Sequence, residues 1–200
     1  MARRIGISGG TFDPPHIGHL QIAVDAVQSL DLDEVWLVVN ADPWQKSGSR
    51  LITTAAVRLE MTQRAVAELL DPTMSVSVKE FETRRAGPTY TIDTVRDLQA
   101  QYPEDEFVLI LGQDAANGLD SWFEAEKLCE LIDIAIACRP GFEKEALRLA
   151  WRIQSFVPTQ IDVSSTDLRR RFGGGVSTGV LVAPSTRSLV ASYGLYGVHS

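Results

Sequence analysis

Short apolar runs recur along the chain at Glu34 to Val39 (EVWLVV), Phe107 to Leu111 (FVLIL) and Ile132 to Ala137, each ending in a polar or glycine-containing loop. Runs of this length without alternation predict strands covered on both faces. A shorter alternation, Ile5 and Ile7, leads into Gly9-Gly10 and predicts a first buried strand and a turn. Between the runs, apolar residues recur at helical spacing. Ile17 to Leu30 predicts one helix. A second runs from a cap at Thr53-Thr54 to about Leu70, with Ala55, Leu59, Met61, Ala65 and Leu69 as its stripe. Asp71-Pro72 stops it, and Ser75 to Val78 predicts a short strand. Further helices are expected from about Thr91 to Gln101, around Trp122, Phe123 and Leu128, and from Glu143 to about Trp151. Ile153 to Val163 predicts a short strand or two, interrupted at Pro158. Ser164, with Asp167 three residues later, opens a helix through Arg171, and Ser185 to Tyr193 predicts a last helix capped by Gly194.

Strands alternating with helices imply βαβ units and an α/β fold with a mostly parallel sheet. The loops at 9–16, 40–50, 112–114 and 139–141 all follow strands, so right-handed crossovers bring them to one edge. That edge is where a nucleotide-sized site is expected. The length of 200 residues suits one domain, 1–200, with enough chain to bury a core without metal or disulfide staples. A formal net charge of −7 argues against non-specific nucleic-acid binding. An acidic protein that holds a phosphate must gather its positive field locally. Arg3-Arg4 is followed by a mixed strand and no run is long enough to span a membrane, so a cytoplasmic protein is expected. Its two cysteines, Cys129 and Cys138, read as reduced, buried thiols, since no histidine stands near them at zinc spacing. Gly6, Gly9 and Gly10 do not make G-x-G-x-x-G, and no G-x-x-x-x-G-K-[ST] occurs. Dinucleotide oxidoreductases and P-loop kinases are thereby disfavoured.

The stretch IGISGGTFDPPHIGH, Ile5 to His19, holds the most chemistry. A strand, a glycine turn and a helix N-terminus make a place where backbone N–H groups face an anion. His16 and His19, at i and i+3, share one face of a helix that begins near Pro15. Gly10, Phe12, Pro14, His16, Gly18 and His19 match a GxFxPxHxGH-type signature, and here the chain resembles nucleotidyltransferases with a Rossmann-like, doubly wound, mostly parallel sheet and helices on both faces. More narrowly it resembles bacterial nicotinate-mononucleotide adenylyltransferases. That likeness rests on GGTFDPPHIGH (9–19), TYTIDT (89–94), LGQD with a downstream Trp122, CRPG (138–141), SSTDLRRR (164–171) and a closing LVxxYGLY-like segment (189–196).

The resemblance implies adenylyl transfer from ATP to nicotinate mononucleotide, with Mg2+ carried by the phosphates and no protein metal cage. His16, His19, Lys46 and Arg169 would be the catalytic groups. Gly9, Gly10, Thr11, Phe12, Gly112, Asp114, Ser164, Ser165 and Thr166 would join them in holding ATP, with residues from about 155 to 200 completing that site. Thr89 and Tyr90 would meet the nicotinate carboxylate, Trp122 would stack on the pyridine ring, and Trp44 would cap the ligand or close the empty site. Gln113 stands where many members have a small residue, and Trp44 and Gln45 stand where a proline and a histidine are common. Asp13, beside Pro14, reads as fixing a turn; Arg170 and Arg171 read as structural; Lys46 reads equally as a solvated loop residue. Other readings are an acceptor such as nicotinamide mononucleotide or phosphopantetheine, and a nucleotide-binding module without turnover. Oligomeric state, a homo-oligomer included, is left open by the sequence.

Overall fold

A computed structural model describes residues 2–41, 52–85, 87, 89–138 and 147–198. Six strands pair in one parallel sheet: β1 (Arg4–Gly10), β2 (Glu34–Val39), β3 (Val76–Lys79), β4 (Glu106–Gly112), β5 (Asp133–Ala137) and β6 (Ile153–Phe156). Their order is β3-β2-β1-β4-β5-β6. The chain winds outward from β1 through β2 to β3, returns to the other side of β1 with β4, and winds outward again. The switch point therefore lies between β1 and β4, where loops leaving the two strands diverge and open a crevice. Seven α-helices and four short 3-10 turns lie among the described residues, the α-helices being α1 (Ile17–Ser29), α2 (Ala55–Leu69), α3 (Thr91–Gln101), α4 (Gln113–Asn117), α5 (Ala125–Leu131), α6 (Ser165–Gly173) and α7 (Pro184–Ser192). No described helix is long and apolar enough to cross a membrane.

The continuous apolar runs follow from a sheet with a core on each side. Along β2, Trp36 and Val38 enter one apolar cluster, which also holds Ile92 and Leu98 of α3 and Leu128 of α5. Val35, Leu37 and Val39 enter the other, with Leu20, Ala23 and Ala26 of α1 and Ala65 of α2. Alternate side chains point to opposite faces, so a strand buried on both has no polar position to spare. Gly6 has its own reason. A Cβ there would lie 2.6 Å from Ile110 Cδ1 and 2.8 Å from Leu32 Cδ1, so the missing side chain is what lets those two meet across β1.

Several sequence expectations need correction. His16 is the N-cap of α1 and does not lie within its first turn. Thr54 is the N-cap of α2 but its side chain makes no capping bond. The helix expected from Glu143 to Trp151 is absent where it is described, at 147–151; residues 143–146 lie outside the described chain. Trp151 instead packs into the core, and its Nε1–H donates to Asp120 Oδ1 at 2.9 Å. Backbone N–H donation from Arg148 and this indole hold the Asp120 carboxyl below its usual range. A helix would have carried these donors away from that carboxylate. Cys129 and Cys138 are free but only half-buried. At the chain's last helix Gly194 follows the cap residue Tyr193 and takes the left-handed conformation expected of it, φ 56.

Candidate active site

At the switch point β1 ends in Gly9-Gly10 and the chain turns through Thr11 to Pro15 into α1. Phe12 folds back over this turn with φ 50, a left-handed conformation unusual for a bulky residue. Its ring lies so close to Gly10 that a Cβ there would come within 2.7 Å of Phe12 Cζ. The same ring meets His19 edge-on, with centroids 4.9 Å apart. His16 and His19 stack at 3.6 Å with their planes 21° apart. The His16 backbone N–H donates to His19 Nδ1 at 3.2 Å. An imidazole that accepts at Nδ1 carries its proton at Nε2, so His19 is set as a donor at the far edge of its ring.

The second wall comes from far along the chain. Ser164 caps α6 by accepting from the Asp167 N–H at 3.1 Å, and Ser165 Oγ donates to the Pro14 carbonyl at 2.9 Å. Arg169 Nη1 donates to the Asp13 carbonyl at 2.8 Å and Nη2 to Thr166 Oγ1 at 3.0 Å. Arg171 and Arg170 both bond Asp167, and their bonds hold its carboxyl below the usual range. Those two arginines are thus occupied within α6, in keeping with the structural role expected of them. Two helix N-termini, of α1 and α6, meet at a cavity of about 660 Å3. Gly9 to Asp13, His16 and His19 line one side, Pro158 to Ile161 and Val163 to Thr166 with Arg169 another, and Asp114 reaches it from just past β4. Aligned backbone N–H groups, a guanidinium and an imidazole donor suit it to a polyanion, despite the acidic chain.

A narrower pocket of about 90 Å3 lies on the other side of Gly9, which lines both. Ile7, Val38, Leu109, Leu111 and Trp122 make it apolar, while Asn40, Glu82, Thr89, Thr91 and Thr94 make one end polar. The structure thus brings together Gly9, Gly10, Thr11, Phe12, His16, His19, Asp114, Ser164, Ser165, Thr166 and Arg169 at the first cavity, and Thr89 and Trp122 at the second. Gly112 is exposed as the N-cap of α4, with open space where a Cβ would stand, and lines neither. Tyr90 also lines neither: it is the N-cap of α3, and its ring stacks on Phe123 at 4.2 Å. Lys46 and Trp44 lie outside the described residues.

Two groups, Arg58 and Glu82, escaped the sequence reading, and a third, Asp13, was read only as fixing a turn. Arg58, 1% exposed, donates Nε–H to the Thr53 carbonyl, Nη1–H to Thr11 and Nη2–H to Ala41, at 2.7, 2.7 and 2.9 Å. It ties the β1 turn to the end of β2 and the start of α2. The available signal was an arginine three residues before Met61 and seven before Ala65, on the face that should be apolar. Asp13 is fully buried in the first cavity's wall. Glu82, 7% exposed, accepts from Thr94 Oγ1 at 2.9 Å, and Arg85 Nη1 donates to that same hydroxyl.

Burial raises the Glu82 pKa, against the opposing bonds from Thr94 and Thr89. The folded protein therefore holds this proton to higher pH than the unfolded chain does. Its carboxyl should cost stability progressively as pH rises from about 4.5 through the raised value, and add no pH dependence beyond it. Urea unfolding of wild type and Glu82→Gln at pH 4.5 and 7.5 checks this. The variant should gain relative to wild type at the higher pH, and a gap that does not change with pH would refute it.

Known proteins resemble this chain over nearly its whole length. A cytidylyltransferase-like family model matches residues 7–171. A probable nicotinate-nucleotide adenylyltransferase of Thermus thermophilus is 40% identical over 193 residues, covering 96% of this chain and 99% of the relative. One from Exiguobacterium sibiricum is 39% identical over 193 residues, covering 96% and 98%. Among solved structures, the nicotinic acid mononucleotide adenylyltransferase of Plasmodium falciparum complexed with NaAD superposes with a TM-score of 0.81 at 20% identity, covering 98% of both chains. At that identity the likeness speaks for the fold.

Proposed function

The chain belongs to the cytidylyltransferase-like family, among its nicotinate-nucleotide adenylyltransferases, and from that premise we propose that it transfers the adenylyl group of ATP to nicotinate mononucleotide. The observation that carries this reading is the pair of cavities meeting at Gly9, one suited to a polyphosphate and one small, apolar and polar at one end. The triphosphate lies across the N-termini of α1 and α6. The pyridine ring enters the apolar pocket beside Trp122, and its carboxylate meets the Thr89 hydroxyl and the N-terminus of α3 next to Tyr90. Asp114 accepts from ribose hydroxyls.

In the reaction an oxygen of the mononucleotide's 5′-phosphate forms a bond to the α-phosphorus of ATP. The bond from that phosphorus to the bridging oxygen breaks, and pyrophosphate leaves with the electron pair. A phosphate monoester with second pKa near ~6 is already mostly dianionic at neutral pH, so the protein supplies no general base. Its work is positioning and charge stabilisation. His19 donates from Nε2, His16 holds that ring in place, and Arg169, tethered by Asp13 and Thr166, offers its guanidinium to the same oxygens. Lys46 and Trp44 keep the parts that the family resemblance gives them, and the segment from about 155 to 200 completes the ATP site of a single domain.

The donor set also fits a metal that arrives with its substrate. The described residues contain no group of three carboxylate, histidine or cysteine side chains able to cage an ion. The cavity's own groups are mainly hydrogen-bond donors that favour phosphate. A Mg2+ ion held by phosphate oxygens and water fits such a site, and when bound it supplies charge neutralisation along the triphosphate. ATP, Mg2+ and nicotinate mononucleotide together should release pyrophosphate in a coupled assay. Side-by-side rates with nicotinamide mononucleotide and phosphopantetheine should be lower. Absence of pyrophosphate with both pyridine mononucleotides would overturn the proposal.

A further inference from the structure

The last described turn, Leu195–Gly197, folds back against the first cavity's wall, and no residue of it has been given a part of its own in the chemistry above. Tyr196 Oη donates to Asp13 Oδ1 at 2.7 Å across a separation of 183 residues. The Asp13 side chain has no exposure to water, and a buried carboxylate is costly unless donors meet it. The carbonyl of the same residue accepts from Arg169. Phenol, carboxyl, turn backbone and guanidinium thus form one connected series that ends at the phosphate cavity. We propose that Tyr196 is a positioning residue for ATP, fixing Asp13 and through it the carbonyl that aims Arg169. The inference rests on the reading above that this cavity holds ATP.

The packing around Tyr196 is specific to that task. Tyr196 adopts φ 58 and ψ 24, left-handed values that a bulky residue keeps only where its surroundings hold it there. Gly194 and Gly197 on either side also have positive φ, 56 and 80. The Tyr196 carbonyl lies 2.8 Å from where a Cβ on Gly173 would be, so the tail reaches the end of α6 only because that residue is glycine. Its ring packs on Phe172, also of α6, with centroids 5.7 Å apart. The last turn therefore grips the helix that bears Arg169 and, through its hydroxyl, the turn that Arg169 touches. Thr53 Oγ1 adds a longer contact to the phenol oxygen at 3.5 Å. Burial and the Asp13 charge raise the phenol's pKa, which keeps it a proton donor.

The test measures steady-state KM and kcat for both substrates in the 200-residue protein, with calorimetric ATP binding in the absence of acceptor and thermal unfolding alongside. Tyr196→Phe should raise both KM and the dissociation constant for ATP about tenfold, the weight of one hydrogen bond to a charged group. KM for nicotinate mononucleotide should change less than about twofold on the same scale. Gly173→Ala, which leaves the phenol intact but crowds the tail, should give the same ATP-selective loss. Equal losses for both substrates, or lowered thermal stability with unchanged ATP binding, would overturn the inference. Should wild type bind ATP but release no pyrophosphate, the proposed reaction fails while the ATP titrations still decide the role of Tyr196.

Discussion

Replacing His19 with alanine should lower kcat by about 10²–10³-fold, the usual cost of one donor aimed at developing charge. Affinity for ATP should fall by less than about tenfold. The difference follows from the ring's setting. With Nδ1 engaged by the His16 N–H, the single proton of the neutral ring is at Nε2, and stacking on His16 and contact with Phe12 fix its direction. A donor held this rigidly gains most when the phosphoryl oxygens take on charge in the transition state. His19→Gln, which restores an N–H at similar reach, should recover part of the loss. Removing the ring also frees the His16 N–H at the start of α1, so a small drop in stability, about 1 kcal/mol, should accompany it. Single-turnover rates and ATP titrations separate the two effects. Equal losses in rate and in ATP affinity would reduce His19 to a binding group.

Arg58→Ala should destabilise the protein by about 3–5 kcal/mol, the sum expected when several buried acceptors lose a charged donor at once. The three carbonyls it serves belong to Thr53, Thr11 and Ala41, on segments that meet only in the folded protein. A guanidinium reaches all three because its donors splay in one plane; an ammonium is a single point. Arg58→Lys should therefore recover less than half of the lost stability. Because Thr11 belongs to the β1 turn, both variants should also weaken ATP binding at temperatures where they remain folded. Urea unfolding midpoints and ATP titrations test this, and a stability loss below about 1 kcal/mol would show that water replaces the guanidinium at little cost.

Strands β2, β4 and β5 were legible because a strand covered on both faces has to be apolar throughout, and a pattern so local survives in the sequence. The first wall of the cavity proposed to hold the phosphates was legible in the same way: the glycine turn, the paired histidines and the start of α1 are contiguous. The helix expected near Trp151 failed because its apolar residues are used one at a time. Trp151 goes into the core and answers Asp120, a partner that no local period reveals. Tyr90 shows a different limit. Its segment reaches the second pocket through Thr89 and Thr91, yet its own ring turns to Phe123, a direction set by packing and invisible in a motif.

By itself, the sequence determined the strand–helix alternation, the family signature and the glycine turn with its two histidines at the start of α1, since each depends on neighbours within a few positions. Tertiary structure decided the two-cavity arrangement about Gly9 and the groups that hold it. Arg58 meets Thr11 across 47 residues and Tyr196 meets Asp13 across 183. Such bonds leave no periodic trace, because a buried polar group needs a partner close in space and the fold alone selects which segment brings it.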